Sequence, residues 1–515
     1  MSVADIILHS ARVIAMDAGS PFDGLLAVTG NIISFIGAES ELDSIAGDGT
    51  EIIDCRGKVV VPGFNDAHLH LFSLIRKLLS IDLSPSAVRS IADIKEAIRR
   101  KAEKTPPGTW LSGTDYNEFY LAEKRCPTRW DIDEAAPDHP VVLTHRSLHA
   151  CVLNSTALAL AGINRETPEP EGARIERDMA TGEPNGIIVE MLSYIRSEVM
   201  PPLSGAELDE GFDLVNRLLL SSGITSFQEA TYRNDYGRWQ LVRNYMNAGR
   251  LRSRVYMMAG PETRREFQRK GMKTGSGDNQ LRLGAVKIML GESAGQGKMT
   301  QQELNRMTLD CHNSGFQLAF HAITAEAIES AIIALEYVNS RSTIKGRRHR
   351  IEHCSECPPH LLERLHRLGA VIVTHPATVY YSGERYLATV DAGTLPWLYR
   401  IRAPLEKGMV VAAASDAPVS PVNPLAGVYG AVTRKAASGQ VLLPGEAISP
   451  IEALKMYTVN AAYASFEEDI KGSISPGKLA DLVVLGDDPT TVSPEKIKDI
   501  KVEMTIIDGK VVWEA

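Results

Sequence analysis

The sequence predicts an α/β protein, a (β/α)8 barrel with a small discontinuous β-sandwich built from both termini. Three observations lead there. The middle of the chain alternates amphipathic helical stretches with compact apolar strands. The two ends are rich in short strands separated by turns, and they echo each other. Polar side chains fall repeatedly where an apolar strand ends.

The ends come first. "EIIDCRGKVVVPG" (51–63) resembles "TIIDGKVVWEA" (505–515): each has an apolar entry, a turn with Gly, and then Lys-Val-Val. A turn between alternating apolar residues reads as a hairpin. "ADIILHSARVIAMD" and "LLAVTGNIISFIGA" precede the first copy, and "KLADLVVLGDD" precedes the second, all with strand character. One β-sandwich made of residues 1–62 and 471–515 is therefore expected, with 63–470 as the barrel.

In the middle, helices are expected at "SIADIKEAIRRKAEK", "AELDEGFDLVNRLLLSSG", "TQQELNRMTLDCHNSG", "TAEAIESAIIALEYVNS" and "PPHLLERLHRLG". Strands are expected at "ITSFQEA", "QLAFHAI", "RHRIEHC", "AVIVTHP" and "MVVAAASDAP". Helices and strands alternating over short connections imply parallel strands joined by right-handed crossovers. The number of such units favours a closed barrel over an open sheet. The stretch from about 73 to 215 is irregular, with turns such as "TPPGTW" and "TGEPNG". It reads as an elaboration of the barrel covering the active-site mouth, not as a free-standing domain.

Composition narrows the function. The chain has 515 residues, 44% of them apolar and 23% charged, enough for a large core. Lys+Arg 55 against Asp+Glu 64 gives a net charge of -9, with no dense basic block. That balance argues against a nucleic-acid partner. The opening "MSVADIILHSARVIAMD" lacks a basic n-region and a long apolar h-region, and no apolar run reaches membrane-spanning length. A cytoplasmic protein without a membrane partner is expected. The six cysteines are few for this length and read as reduced thiols. Cys354 and Cys357 have CxxC spacing, but no second CxxC exists to complete a zinc knuckle.

The chemistry gathers at strand ends. In "VVVPGFNDAHLHLF" an apolar run finishes in His68 and His70, one residue apart. Residues two apart in a strand point to one face, so both imidazoles project together as a bidentate grip for a metal. Alone, HxH is a weak signal. His321 in "QLAFHAI", His353 in "RHRIEHC" and Asp416 in "AAASDAP" fall at the ends of other apolar runs. In a barrel such positions converge on the C-terminal face, where catalysis takes place. Lys287 in "LGAVKIMLGES" shares a side with Ala285 and Met289. A buried ammonium is costly and loses its proton readily. Such an amine can react with carbon dioxide to give a carbamate able to bridge two metal ions. The bland alternative is a lysine that snorkels out at the strand end. Asp66 shares the strand face of His68, where it could orient a ligand or bond to backbone.

Taken together, these residues resemble the amidohydrolase superfamily of metal-dependent hydrolases. More narrowly, the chain is similar to the amidohydrolase-3 branch, which includes YtcJ-like proteins and N-substituted formamide deformylases. "VVPGFNDAHLH", "TGEPNGIIVE", "GAVKIML", "RIEHC", "SDAPV", "NPLAGVYGAVTR", "SPIEALKMYTVNAAYA" and "GSISPGKLADLVVLGDDP" are among the stretches that carry the resemblance. It implies that His68 and His70 bind one metal, that a carboxylated Lys287 bridges, and that His321 and His353 bind a second. Asp416 would contact metal and handle the catalytic proton. The cofactor so implied is a divalent metal, two zinc ions per chain. His149, in "RSLHACVLNS", resembles a histidine near the substrate carbonyl, and Tyr116 and His375 are expected to line the substrate pocket.

The chain departs from the branch pattern at Thr324 and Ala325, at His375 before Pro376, and at Tyr116 and Asn117. His9, His139, His145, His312, His349, His360 and His366 are expected to be surface or structural residues, and Glu190 an exposed one. The implied reaction is hydrolysis of a non-peptide C–N bond in an amide, formamide, carbamate or cyclic amide. A metal-bound hydroxide attacks, formed because a divalent ion lowers the pKa of water from about 15.7 to about 7. Two rival readings stand beside it: a mononuclear deaminase of the same superfamily, and a non-catalytic scaffold. The deaminase reading needs a glutamate three residues after the strand-five histidine, where this chain has Thr324. The expected partners are a small-molecule substrate and a second copy of the chain in a homodimer.

Overall fold

The computed structural model describes residues 3–515 except 18, 20, 148, 171 and 291–298. The chain divides into two compact units. The first combines Met1–Ser73 with Val215–Gly291 and Lys298–Ala515. The second is centred on Leu74–Leu214.

In the first unit both termini share one eight-stranded mixed sheet. Its order is Lys510–Glu514, Val502–Ile507, Leu482–Leu485, Val59–Pro62, Ile6–Val13, Phe22–Thr29 and Ile32–Gly37, with Glu51–Asp54 also on Ile6–Val13. The two ends are joined where Leu482–Leu485 runs antiparallel to Val59–Pro62, pairing Leu482 with Pro62 and Leu485 with Val59. Alternate residues of these strands, among them Leu8, Leu26, Val60, Leu482 and Ile506, pack into one apolar cluster.

Of the two expected hairpins, only the C-terminal one forms. Ile507 pairs with Lys510 across Asp508 and Gly509, whose φ of 53° and 68° suit a two-residue turn with left-handed backbone at both positions. The N-terminal copy is not a hairpin. Glu51–Asp54 and Val59–Val60 each run parallel to Ile6–Val13, one on each side of its irregularity between Leu8 and Ala11. The backbone of Ile6–Val13 takes the hydrogen bonds a hairpin would have made: Cys55 N donates to His9 O and Gly57 N to Ser10 O.

The barrel strands, in order, are Phe64–Leu69, Ile224–Glu229, Arg254–Ala259, Leu281–Met289, Leu318–Ala322, Arg350–His353, Val371–Thr374 and Val411–Ala413. Each runs parallel to the next. Strand eight returns to strand one through a parallel bridge between Leu69 and Ala417, where Asp416 N donates to His68 O and His70 N to Ala417 O, both at 2.9 Å. Strand three, Arg254–Ala259, was absent from the sequence expectations. It is buried at every position, so it shows no two-residue alternation.

Helices follow the strands as expected. Gln301–Asn313 starts in a capping box of Thr300 and Glu303. Ala325–Asn339 is capped by Thr324, whose side chain accepts from Ala327 N. Pro359–Arg367 buries Leu361, Leu362 and Leu365 on one face.

The second unit is more ordered than its sequence suggested. It has its own six-stranded sheet: Arg174–Arg177, Pro184–Val189, Ala150–Leu153, Val141–His145, Leu111–Tyr116 and Ile81–Asp82. Helices Ile91–Ala102 and Arg129–Ala135 contribute Ile91, Ile94, Ile98 and Ile132 to one core, while Ser155–Leu160 contributes Ala157 and Leu158 to another.

A candidate metal centre at the barrel rim

Strand ends carry the polar side chains to one place. His68 lies in strand one and His70 just beyond it; Lys287 is in strand four, His321 in strand five, and His353 ends strand six. His375 follows strand seven, and Asp416 follows strand eight. His353 and Asp416 sit in left-handed backbone, at φ 70° and 56°, where each chain turns off its strand.

The side chains meet. Lys287 Nζ is 3.1 Å from His68 Nε2. Asp416 Oδ1 is 3.5 Å from His68 Nε2 and 3.2 Å from His70 Nε2, and its Oδ2 is 3.9 Å from His353 Nδ1. His353 Nε2 is 2.8 Å from His321 Nδ1, and His353 Nδ1 is 2.8 Å from His375 Nε2. All six residues expected to hold metal are therefore in one connected cluster. His375, expected in a substrate pocket, belongs to the same cluster, packed between His353 and the backbone of Ala414.

Outer partners fix which nitrogen faces inward. His68 Nδ1 donates to Glu352 Oε2 at 2.5 Å, and Glu352 is held by Arg350 through Nε at 2.7 Å and Nη2 at 3.0 Å. Arg350 also reaches Gln228 Oε1 and Ala67 O. His70 Nδ1 is 2.9 Å from Thr231 Oγ1, whose hydroxyl donates to Glu229 Oε1 at 2.7 Å. Thr231 thus accepts from His70 Nδ1–H. On His353, Nδ1–H donates to His375 Nε2, because the other nitrogen of His375 faces a carbonyl, which can only accept.

Three imidazoles thereby turn an Nε2 lone pair inward, and two of those face Asp416 Oδ1. Acceptors converging on a carboxylate repel one another unless a cation lies among them. Neutral imidazole nitrogens with a carboxylate are the donor set of zinc and similar divalent ions, so the residues fit the metal that the sequence implied. His68, His70 and Asp416 form one group of ligand atoms close enough to share an ion; His68, His353 and His375 form another.

Burial sets the charges. It pushes His68 and His353 well below the ordinary histidine range, with neighbouring Lys287 and His321 adding to the effect, and it takes His321 down to about 3. Those rings are neutral and free to ligate. Burial likewise lowers Lys287 to about 8, against the pull of Glu352 and Asp416. Burial alone would raise Asp416, but the adjoining rings of His70, His68 and His375 hold its carboxylate well below the usual range.

Asp66 grips backbone rather than an imidazole: it accepts from His68 N at 3.2 Å and Ser415 N at 3.0 Å, tying strand one to the end of strand eight. Tyr116 and His149 belong to the second unit. Tyr116 is fully buried in that unit's core with Leu121 and Ile132, its hydroxyl 3.9 Å from Cys126 Sγ. That is the setting of a packing residue. His149 is exposed and holds Glu190 through Nδ1 at 2.7 Å.

Glu352, Arg350, Gln228, Glu229 and Thr231 were absent from the expected site. Glu229 ends strand two and had the same signal as the ligands. Arg350 and Glu352 lie two apart within a short buried strand, a charged pair in a setting that normally rejects charge.

A family model described as "Amidohydrolase family" matches residues 51–513. The chain belongs to the amidohydrolase family. This amidohydrolase is 29% identical to the N-substituted formamide deformylase of Arthrobacter pascens, over 99% of its own length and 98% of the relative's. It is 28% identical to the YtcJ amidohydrolase of Bacillus subtilis, over 90% of this chain and 91% of that one. In fold it is similar to the crystal structure of an uncharacterized metal-dependent hydrolase from Pyrococcus furiosus, with TM-score 0.76 and 24% identity, covering 94% of this amidohydrolase and 100% of that chain. Among the described residues no helix is long and apolar enough to cross a membrane.

Proposed function

We propose that this amidohydrolase hydrolyses a non-peptide C–N bond in a small molecule, an amide, formamide, carbamate or cyclic amide. The observation that carries the reading is the convergence of the inward Nε2 atoms of His68 and His70 on the Asp416 carboxylate, beside Lys287 and the His321–His353 pair. A formamide deformylase and an amidohydrolase among its relatives support the bond type.

His68, His70 and Asp416 would hold one divalent ion, zinc in the first instance, and His321 and His353 a second. Bound there, the ions activate water and polarise the scissile carbonyl. The chain's own part is to hold the rings in register and to move protons. Asp416 is the proton carrier: its carboxylate stays ionised and reaches His68 and His70 through Oδ1. It takes a proton from the attacking water and passes it to the departing amine.

Lys287 Nζ donates to His68 Nε2 in this structure and occupies a nitrogen that a metal would need. Reaction of the neutral amine with carbon dioxide forms an N–C bond and releases one proton. It converts the donor into a two-oxygen anion, which frees His68 Nε2 and adds a bridging ligand. Thr324 argues against the deaminase reading. It is the N-cap of Ala325–Asn339, and no glutamate follows His321 at the spacing that deamination requires.

The test is a screen of purified protein against N-formyl, N-acyl, carbamate and lactam compounds, with metal content measured on the same batch. Amine or ring-opened product formed only by metal-loaded protein supports the reading. Ammonia release from an amino-substituted heterocycle by protein holding a single ion, with none of those compounds cleaved, would replace it with deamination.

A further inference from the structure

Beyond the residues of the metal centre, the end of helix Pro424–Thr433 holds a guanidinium that is only partly hydrogen-bonded. Arg434 follows that helix in left-handed backbone, φ 56° and ψ 21°, and is fully buried. Its Nε donates to Leu442 O at 3.1 Å. Leu442 belongs to an apolar cluster with Val379, Leu398 and Tyr399, which offers little to a cation. Nη1 and Nη2 of Arg434 are both buried and have no hydrogen-bond partner among the described residues.

The carboxylate whose charge acts on Arg434 is Glu446, and it is already in use. Its Oε1 accepts from Arg400 Nε at 2.9 Å, and its Oε2 accepts from the backbone N–H groups of Ile401 and Ala403, both at 3.0 Å. Arg400 lies over the Trp397 ring and has its own buried, unpartnered nitrogen, Nη1. Glu446 is thus fully taken up by Arg400 and two backbone groups, and the two guanidiniums keep three unpaired nitrogens. Burial takes Arg434 down to about 10, so it still carries its proton at neutral pH. Buried polar groups in folded proteins are paired almost without exception, and guanidinium is the side chain best shaped to grip an anion.

We propose that Arg434, with Arg400 beside Glu446, binds a compact monovalent anion, a halide or a small carboxylate. The anion neutralises the buried charge and accepts from the unpaired Nη groups, locking the end of the helix to the segment around Leu442. Neither arginine is among the residues assigned to the hydrolytic centre, and anion binding there does not depend on the reaction assigned to it.

The test uses the whole 515-residue chain, with sodium bromide and sodium formate as separate probes at constant ionic strength made up with gluconate, a much bulkier anion. The unfolding midpoint is expected to rise by about 1 °C for each tenfold increase in the compact anion above its dissociation constant. R434M is expected to lose that dependence, and R434K to weaken it. A response to bromide alone assigns a halide; a response to formate alone, or to both, extends the class to carboxylates. Bromide-soaked crystals of the unaltered protein, which need no variant to fold, are expected to show an anomalous peak against the Arg434 guanidinium. Identical midpoints in bromide, formate and gluconate, with water alone at that position, would overturn the proposal.

Discussion

His353 presents one ring nitrogen to His321 and the other to His375, each at 2.8 Å. The outer contact decides what the inner one can do, because it fixes the tautomer that leaves Nε2 available to a metal. Replacing His375 by Leu removes that acceptor, and metal affinity is expected to fall about 10–100-fold. His375→Gln keeps an acceptor oxygen and is expected to recover most of the loss. Competition with a chromophoric zinc chelator measures both. Equal affinity in the Leu variant and the parent would show that His375 does not position the ring.

Glu352 lies between two buried groups, Arg350 and His68. Glu352→Gln leaves the Arg350 guanidinium fully buried without its counter-charge, and the expected destabilisation is about 3–5 kcal/mol. Replacing both partners, as in R350M/E352Q, is expected to recover part of that loss, because the unpaired charge is gone. Urea unfolding midpoints at fixed metal concentration test the order of the three proteins.

Thr231 relays between His70 and Glu229. Thr231→Val keeps the shape and removes the hydroxyl, so His70 loses its outer acceptor; metal is expected to dissociate at least about tenfold faster. Thr231→Ser retains the relay and is expected to behave like the parent. Stopped-flow chelation reads the difference.

Acid sensitivity has a source outside the metal centre. Leu318 N donates to His349 Nδ1 at 3.0 Å, so His349 Nε2–H donates to His312 Nδ1 at 3.0 Å, and His312 Nε2 lies 3.1 Å from Ser342 Oγ. Every donor is matched while both rings are neutral. Burial holds both pKa values below the ordinary 6.5. Below pH 6.5 the unfolded chain therefore binds more protons than the folded one, and stability falls as pH falls. Above 6.5 the pair contributes no pH dependence. His312→Gln is expected to reduce the slope of unfolding free energy against pH between 6.5 and 5, measured by urea titration of metal-loaded protein. An unchanged slope would place the acid sensitivity elsewhere.

Much of this was legible in the sequence, for a physical reason. A barrel brings its strand ends to one rim, so a histidine or aspartate closing an apolar run announces itself, as His321, His353 and Asp416 do. What those side chains lean on did not show. Glu352 and His68 are 284 residues apart and meet only through closure of the barrel. Strand three hid because burial on both faces erases alternation. The hairpin at Glu51–Pro62 failed because its local turn signal was real but Ile6–Val13 supplied a longer partner. In the second unit, short strands broken by Gly and Pro read as loop until Val141–His145 gathered them into a sheet.

The most direct measurement of the central claim is an anomalous difference map at the zinc edge from crystals of the metal-loaded protein. The account predicts one peak bonded to Nε2 of His68 and His70 and to Asp416, and a second bonded to His321 Nδ1 and His353 Nε2, with density for a carboxylated Lys287 between them. Ordered histidine rings around a position with no anomalous signal, while zinc sits elsewhere on the chain, would contradict it.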